Sequence, residues 1–430
     1  MAKKISDSKS KKNKSTKKAA TNNKKNLKKK INKKKNIKND SMFDKKISFG
    51  ILDFYIIAIV IALVSCVGTG LILNYQYKKN NVLYNSALVS DESLTDFIKT
   101  YSQIVDNYYE EVDRKAMLSE ATSAIVGYLK DNYSIYLDKD DAELFTSSLD
   151  SSYEGVGIVV SGNLVYHVYE ESPAEEAGIK AGDLIVEIND AEINKDNVSK
   201  ISELIKNNEK NHIVVLRNEE KIEFDVETKK VYIPTAGAKV IEKDGKRDGY
   251  IALTSFSTKS ASQFRKELES IEDEGIDSLI IDLRGNSGGY LEVAKEIASM
   301  FLEKGKVIYS LQSKNDNSVY KDETDEKRDY KIVVLIDTSS ASASEVLTGA
   351  LKDSYGAIVV GEKSFGKGKV QTVMQNEDSI VKYTSAKWYR PNGECVDGEG
   401  IKPDYEVTNV VKNKIIYDKQ LEKAIEIVNE

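Results

Sequence analysis

The sequence predicts a multidomain α+β chain, in which an apolar N-terminal helix and a helical segment precede a small glycine-punctuated strand module and a mixed α/β core. Three observations predict it. The 430 residues exceed one ordinary core and suit two or three domains. Periodicity changes along the chain, from helical spacing before residue 130, to short strands, to alternating strands and helices. Charge is unevenly divided: residues 1–46 hold 19 Lys/Arg against three Asp, a net +16, so the total of −6 leaves −22 for the remainder. That is a basic tail on an acidic body.

The tail, residues 1–46, is rich in Lys, Asn and Ser and cannot bury enough apolar surface to fold. It reads as disordered and topogenic, with no specific nucleic-acid partner. Phe54 to Leu73 then runs twenty residues without a charge between Asp53 and Lys78-Lys79, long enough to cross a bilayer. Residues 47–77 are therefore the expected membrane anchor. The positive-inside rule keeps the tail in the cytoplasm and puts everything after Leu73 outside. Leu63-Val64-Ser65-Cys66 has the look of a lipoprotein processing site, but the apolar run continues past Cys66 and the basic region is longer than a signal peptide's. The spanning helix is the reading adopted.

Residues 78–150 form the helical segment: Phe97, Ile104, Val105 and Tyr108 share one face, and Met117, Ala121, Ala124, Ile125 and Leu129 repeat at helical spacing. Such faces serve a core or a homodimer. Residues 151–231 shift to short strands broken by glycine. Residues 232–410 alternate, with strands at Tyr250 to Phe256, Ser278 to Leu283, Lys331 to Ile336 and Ala357 to Gly361, and helices at Ala261 to Asp273, Leu291 to Leu302 and Ser342 to Asp353. The polar run from Leu311 to Tyr330 reads as a surface loop, and residues 411–430 as a terminal helical segment.

Composition excludes several chemistries. Two cysteines, one of them in the apolar run, make no disulfide framework. The two histidines, His167 and His212, fall in strand-like stretches outside any catalytic or zinc motif, so a hydrolase here must work without histidine. No metal or cofactor is expected.

Asp337-Thr338-Ser339-Ser340-Ala341-Ser342-Ala343-Ser344-Glu345 joins a buried strand to an apolar helix. At such a turn backbone N–H groups and the helix dipole converge. Helix capping accounts for one or two of the four serines and leaves the others open. After the next strand comes Gly361-Glu362-Lys363-Ser364-Phe365-Gly366-Lys367-Gly368-Lys369-Val370-Gln371. Of its three lysines, Lys367 has glycine on both sides and can approach another segment closely. To act as a base it must titrate well below the ordinary lysine value of about 10.4, which requires burial. Gln371 is placed to orient it. Asp282-Leu283-Arg284-Gly285-Asn286-Ser287-Gly288-Gly289 ends another strand, and its glycines suit an oxyanion hole better than a phosphate loop, because the GK[ST] ending and GxGxxG spacing are absent.

Two resemblances follow from these residues. Gly155-Val156-Gly157-Ile158, followed by Ser172-Pro173-Ala174, Ala181-Gly182-Asp183 and Leu184 to Asp190, resembles a PDZ domain. Such a module captures a terminal carboxylate on loop N–H groups and adds the peptide as a strand. With Asn107-Tyr108-Tyr109, Tyr133 to Leu137, Gly249-Tyr250-Ile251, DLRGNSGG, SASASE, GEKSFGKGKVQ, Ala386 to Tyr389 and Gly400 to Asp404, residues from Leu94 to Val407 resemble the carboxyl-terminal processing, or tail-specific, proteases of peptidase family S41. The resemblance implies a mixed α/β protease core, Ser342 as nucleophile, Lys367 as base and Gln371 as third member. It suggests Gly288 and Ala343 as oxyanion donors, and Arg217 as a link between peptide binding and catalytic alignment. Ser287, and Asn132 in the DNYS stretch, stand where prolines are common in the family. The implied function is cleavage of extracytoplasmic polypeptides with free apolar C-termini. A non-catalytic binding or scaffolding protein of the same fold is the alternative, and retention of Ser342, Lys367 and Gln371 favours the enzyme.

Overall fold

The computed structural model describes residues 92–430 apart from 207, 413 and 414, so the expected tail and anchor lie outside the described residues. Among the described residues no helix is long and apolar enough to cross a membrane. The chain divides into two compact units at residues 111 and 112. The described part of the first is mainly helix α1 (Glu92–Asn107), whose predicted apolar face, with Phe97 and Ile104, is exposed.

In the second unit, α2 (Arg114–Gly127) is capped by Asp113, whose carboxylate accepts from the N–H groups of Lys115 and Ala116. Strand β1 (Ile135–Leu137) and α3 (Lys139–Leu149) follow. A small sheet comes next. Strands β2 (Ser152–Gly155), β3 (Ile158–Ser161) and β4 (Leu164–Val168), helix α4 (Pro173–Ala177), β5 (Leu184–Ile188), β6 (Ala191–Glu192), helix α5 (Ile201–Lys206), β7 (Lys210–Arg217), β8 (Glu220–Glu227) and β9 (Lys229–Tyr232) succeed one another. Five of these strands form the order β3-β4-β5-β7-β8, with β6 on β5, and β2 pairs with β9 as a separate ribbon. In that sheet β3 pairs with β4 alone, which leaves its other edge open. Val165, Ile185, Ile213 and Val215 form its core, supported by Ile201 and Ile205 from α5.

The sheet of the α/β core runs β10 (Ala236–Lys243), β11 (Lys246–Leu253), β12 (Ser278–Asp282), β15 (Lys331–Ile336), β16 (Ile358–Gly361) and β19 (Tyr405–Glu406), all parallel after the first pair. Its central strands are apolar on both faces, as a sheet covered on both sides requires. One face packs on α6 (Ser260–Asp273), α7 (Leu291–Ser299) and α8 (Ala343–Ala350). The other is covered by α9 (Lys419–Asn429), through Ala424, Ile427 and Val428.

A second sheet sets β1 and β17 (Lys369–Asn376) against β18 (Ser379–Tyr389), which continues to β13 (Val307–Ser313) and β14 (Asn317–Lys321). Part of the run expected as a loop from Leu311 to Tyr330 is thus a hairpin. On β14 the outward positions are Asn317, Val319 and Lys321, all exposed, while Tyr320 turns in and stacks on Tyr309 with ring centroids 4.5 Å apart. Strand β20 (Val410–Lys412) and β21 (Ile415–Tyr417) form a short ribbon before α9, so the terminal segment is not wholly helical.

Candidate active site

Strands β12, β15 and β16 are adjacent and parallel, so the loops leaving their C-terminal ends emerge side by side. In open α/β sheets that end is where sites form. The three loops are the glycine-rich turn after Asp282, the serine turn after Ile336 and the lysine loop after Gly361.

Hydrogen bonds join the first two. The Ser340 hydroxyl donates to the Leu283 carbonyl at 2.8 Å, the Ser344 hydroxyl to the Asn286 carbonyl at 2.8 Å, and the Ala341 N–H to the same Asn286 carbonyl at 3.1 Å. Both of those serines are fully buried. Ser339 is exposed at the turn, its N–H donating to Asp337. Ser342 remains half-buried at the start of α8, with φ 57° and ψ −114°. A non-glycine residue at that φ is strained by about 1–3 kcal/mol and stays there only when its surroundings over-determine it.

Those surroundings include Glu345, a residue the sequence reading passed over. It is fully buried. Its Oε2 accepts the N–H of Ser342 at 2.8 Å and the N–H of Lys367 at 2.9 Å. Its Oε1 accepts the Ser364 hydroxyl at 2.6 Å and the Gly366 N–H at 2.7 Å. One carboxylate therefore fixes the backbones of Ser342 and Lys367 to each other. The Ser-x-x-Glu spacing of a capping box is the signal that marks it in the sequence.

Lys367 is half-buried and, among the described residues, has no ion-pair partner. Burial first, and then the nearby charge of Lys382, push its ammonium below the ordinary value, while Glu345 pulls the other way. Its carbonyl accepts from the buried Trp388 indole at 2.9 Å, and its Nζ lies 5.2 Å from the centre of the Tyr133 ring.

Gln371 lies on β17 and its amide donates to Thr384 on β18 at 3.2 Å, with no bond to Lys367 in this structure. Thr384 donates in turn to Asp131 at 2.6 Å, and Asp131 also accepts from Ser134 at 2.7 Å and Lys369 at 2.9 Å. Burial opposes ionisation of Asp131, but these three donors hold its carboxyl well below the usual carboxylate range.

Gly288 sits against the serine turn with φ 104°. A Cβ there would lie 2.7 Å from the Ala341 carbonyl oxygen, 2.9 Å from the Ser342 Cβ and 3.0 Å from the Ala343 nitrogen, so only glycine fits. Its N–H is engaged, donating to the Asn286 side chain at 2.9 Å. The Ala343 N–H donates to no group among the described residues. Arg284 closes the base of this loop: its guanidinium bonds Asp282 at 2.6 Å, Asp418 at 2.7 Å and Gln420 at 3.0 Å, tying the loop to α9.

The remaining predicted residues lie in the small module. Gly155, Val156, Gly157 and Ile158 line a groove with α5, and the N–H groups of Val156 and Gly157 donate to no acceptor among the described residues. A Cβ on Gly157 would meet Ser172 Cβ at 2.2 Å. Arg217 spends its guanidinium inside the same module, on Asp183 at 2.6 and 2.7 Å and on the Gly178 carbonyl at 2.8 Å. It makes no bond to the three loops that follow β12, β15 and β16. Both histidines also lie in this module, on β4 and β7.

Three family sequence models match the chain: peptidase family S41 over residues 247–407, a PDZ domain over 164–217, and the activating protease CtpB N-terminal domain over 70–141. The carboxy-terminal processing protease CtpB of Bacillus subtilis (strain 168) is 36% identical over 323 residues, 73% of this chain and 67% of the relative. CtpA of the same organism is 34% identical over 325 residues, 74% of this chain and 70% of the relative. The solved photosystem II D1 C-terminal processing protease aligns with 80% of this chain and 92% of its own at 23% identity and a TM-score of 0.47.

Proposed function

Because this chain belongs to the carboxy-terminal processing proteases, serine-type peptidases of family S41, we propose that Ser342 is its nucleophile and Lys367 its general base. What supports this most is the Glu345 carboxylate, which holds the N–H groups of both residues on one oxygen beside a lysine whose charge is disfavoured by burial. Neutral Lys367 takes the Ser342 hydroxyl proton as Oγ bonds to the scissile carbonyl carbon. The resulting oxyanion lies toward the unpaired Ala343 N–H, with Gly288 leaving the room it needs. The C–N bond then breaks, Lys367 returns the proton to the departing amine, and an acyl-enzyme remains. Water attacks the ester, Lys367 accepts its proton, and Ser342 is regenerated.

In this reading Gln371 swings from Thr384 to Lys367 when substrate is bound. The Gly155–Ile158 loop receives the carboxylate of an apolar C-terminus, and the peptide extends along the open edge of β3. The segment Phe54 to Leu73 anchors the chain with its N-terminus in the cytoplasm and the catalytic part outside. The exposed apolar face of α1 serves a homodimer.

The test is cleavage of a peptide with a free apolar C-terminus by the full chain in detergent. Ser342→Ala and Lys367→Ala should each lower kcat/KM by roughly 10³-fold or more; activity equal to wild type in either sinks the dyad. Unchanged turnover of a C-terminally amidated peptide would mean that the carboxylate is not read.

A further inference from the structure

The groove beside the Gly155–Ile158 loop has a third wall. Its volume is about 790 Å³, and besides β3 and α5 it is lined by α3, which contributes Asp140, Glu143 and Leu144. Among the described residues, the charged ones lining it are Asp140, Glu143 and Glu154, all acidic and exposed, and no described lysine or arginine lines it. None of the three has an ion-pair partner among the described residues. Elsewhere in the same unit acids are commonly neutralised: Asp150, just past α3, is held by Lys230 at 2.6 Å, and Asp183 by Arg217.

The two ends of an occupant thus meet opposite fields. A terminal carboxylate finds the free N–H groups of Val156 and Gly157, and an apolar side chain finds Ile158, Ile201 and Ile205. The residues leading into the groove pass Asp140 and Glu143 of α3 and Glu154 of β2, the last with Lys230 opposite it on β9. Resting on the reading of this groove as the seat of a C-terminal segment, we propose that it selects polypeptides carrying Lys or Arg in the residues just before an apolar C-terminus, and rejects those carrying Asp or Glu there. Attraction and repulsion both contribute to such a choice. Because the three acids are exposed, each acts modestly and the discrimination weakens with salt.

Three short labelled peptides with the same apolar terminal residues test this on the full-length Ser342→Ala chain, by fluorescence anisotropy at low ionic strength. One has two lysines before the terminal residues, one has two glutamates there, and one is the lysine peptide amidated at its C-terminus. The lysine peptide should bind roughly three- to tenfold more tightly than the glutamate peptide. The gap should shrink in about 0.5 M salt and reverse in a chain that also carries Glu143→Lys and Glu154→Lys. Equal binding of both free-carboxylate peptides, with amidation still weakening binding, overturns the charge selection and leaves the groove reading intact. Binding unaffected by amidation removes the groove reading, and this proposal with it.

Discussion

If Lys367 is the base, as proposed, the neutral amine is the working form and the direction of its titration sets the pH dependence. Burial and Lys382 lower its value in the folded chain. Activity should therefore rise with pH and level off above a midpoint lying below that of an ordinary lysine. Replacing Lys382 with Gln removes the positive neighbour, makes protonation of Lys367 easier and should move this limb to higher pH; an unmoved pH profile of kcat/KM would show that Lys382 is not felt. The same linkage acts on stability. The unfolded chain binds this proton more readily, so the Lys367 contribution grows as pH rises from the folded value to the unfolded one. Glu345 bears the geometric load, since its four donors have no other acceptor. Glu345→Gln turns an N–H toward an N–H and should cost on the order of 2–4 kcal/mol in denaturant unfolding. By displacing Ser342 from Lys367 it should also lower kcat/KM by roughly 10²-fold. Retained activity would mean that the backbone tie does not align the pair.

Between elements, two junctions carry the alignment. The first is the close approach of the glycine loop after β12 to the start of α8, where Gly288→Ala forces a Cβ against the Ala341 carbonyl at a backbone angle that side chains avoid. Its effect should fall on kcat more than KM, because the atoms displaced border Ser342 and not the Gly155–Ile158 groove. The second is Asp131, which fastens the segment before β1 to Lys369 of β17 and Thr384 of β18, next to Gln371. Asp131→Asn should destabilise the unit by about 1–3 kcal/mol near neutral pH. Its carboxyl is depressed in the folded chain, so its contribution is present above the unfolded value and is lost as pH falls through the folded one. The variant and the parent should accordingly converge in stability on acidification, and a gap that persists in acid would assign the loss to packing.

On the scale of the whole described structure, the small module and the α/β core have separate apolar interiors, one built on Ile185 and Ile213 and the other on Phe264, Leu279 and Val334. Between them run the β2–β9 ribbon and polar ties such as Lys266 to Glu170 at 2.5 Å and Tyr290 to Asp150 at 3.2 Å. Ile185→Ala, at a fully buried position, should cost about 2–5 kcal/mol within the module. Hydrogen exchange should then quicken in β3 to β8 while β12 and β15 keep their protection. Uniform loss of protection would mean that the two interiors unfold as one.

Local pattern was enough to reveal the period-two and helical stretches of the core, the glycine loops at strand ends, and the lack of any histidine in a catalytic setting. Motif order added Ser342, Lys367 and Gln371. The hairpin of β13 and β14 escaped because β14 is short and breaks the alternation, with Val319 outward and Ser318 on the inner face, and its pairing with β18 comes from residues distant in sequence. Which serine is available could not be read along the chain either: Ser340 and Ser344 are withdrawn by carbonyls of a different loop. The capping-box spacing marks Glu345 in the sequence but not its bonds to the lysine loop, and the roles of Asp131 and of the acids of the groove became legible only in three dimensions, because what distinguishes such a carboxylate is the company brought to it by chain segments that sequence order keeps apart.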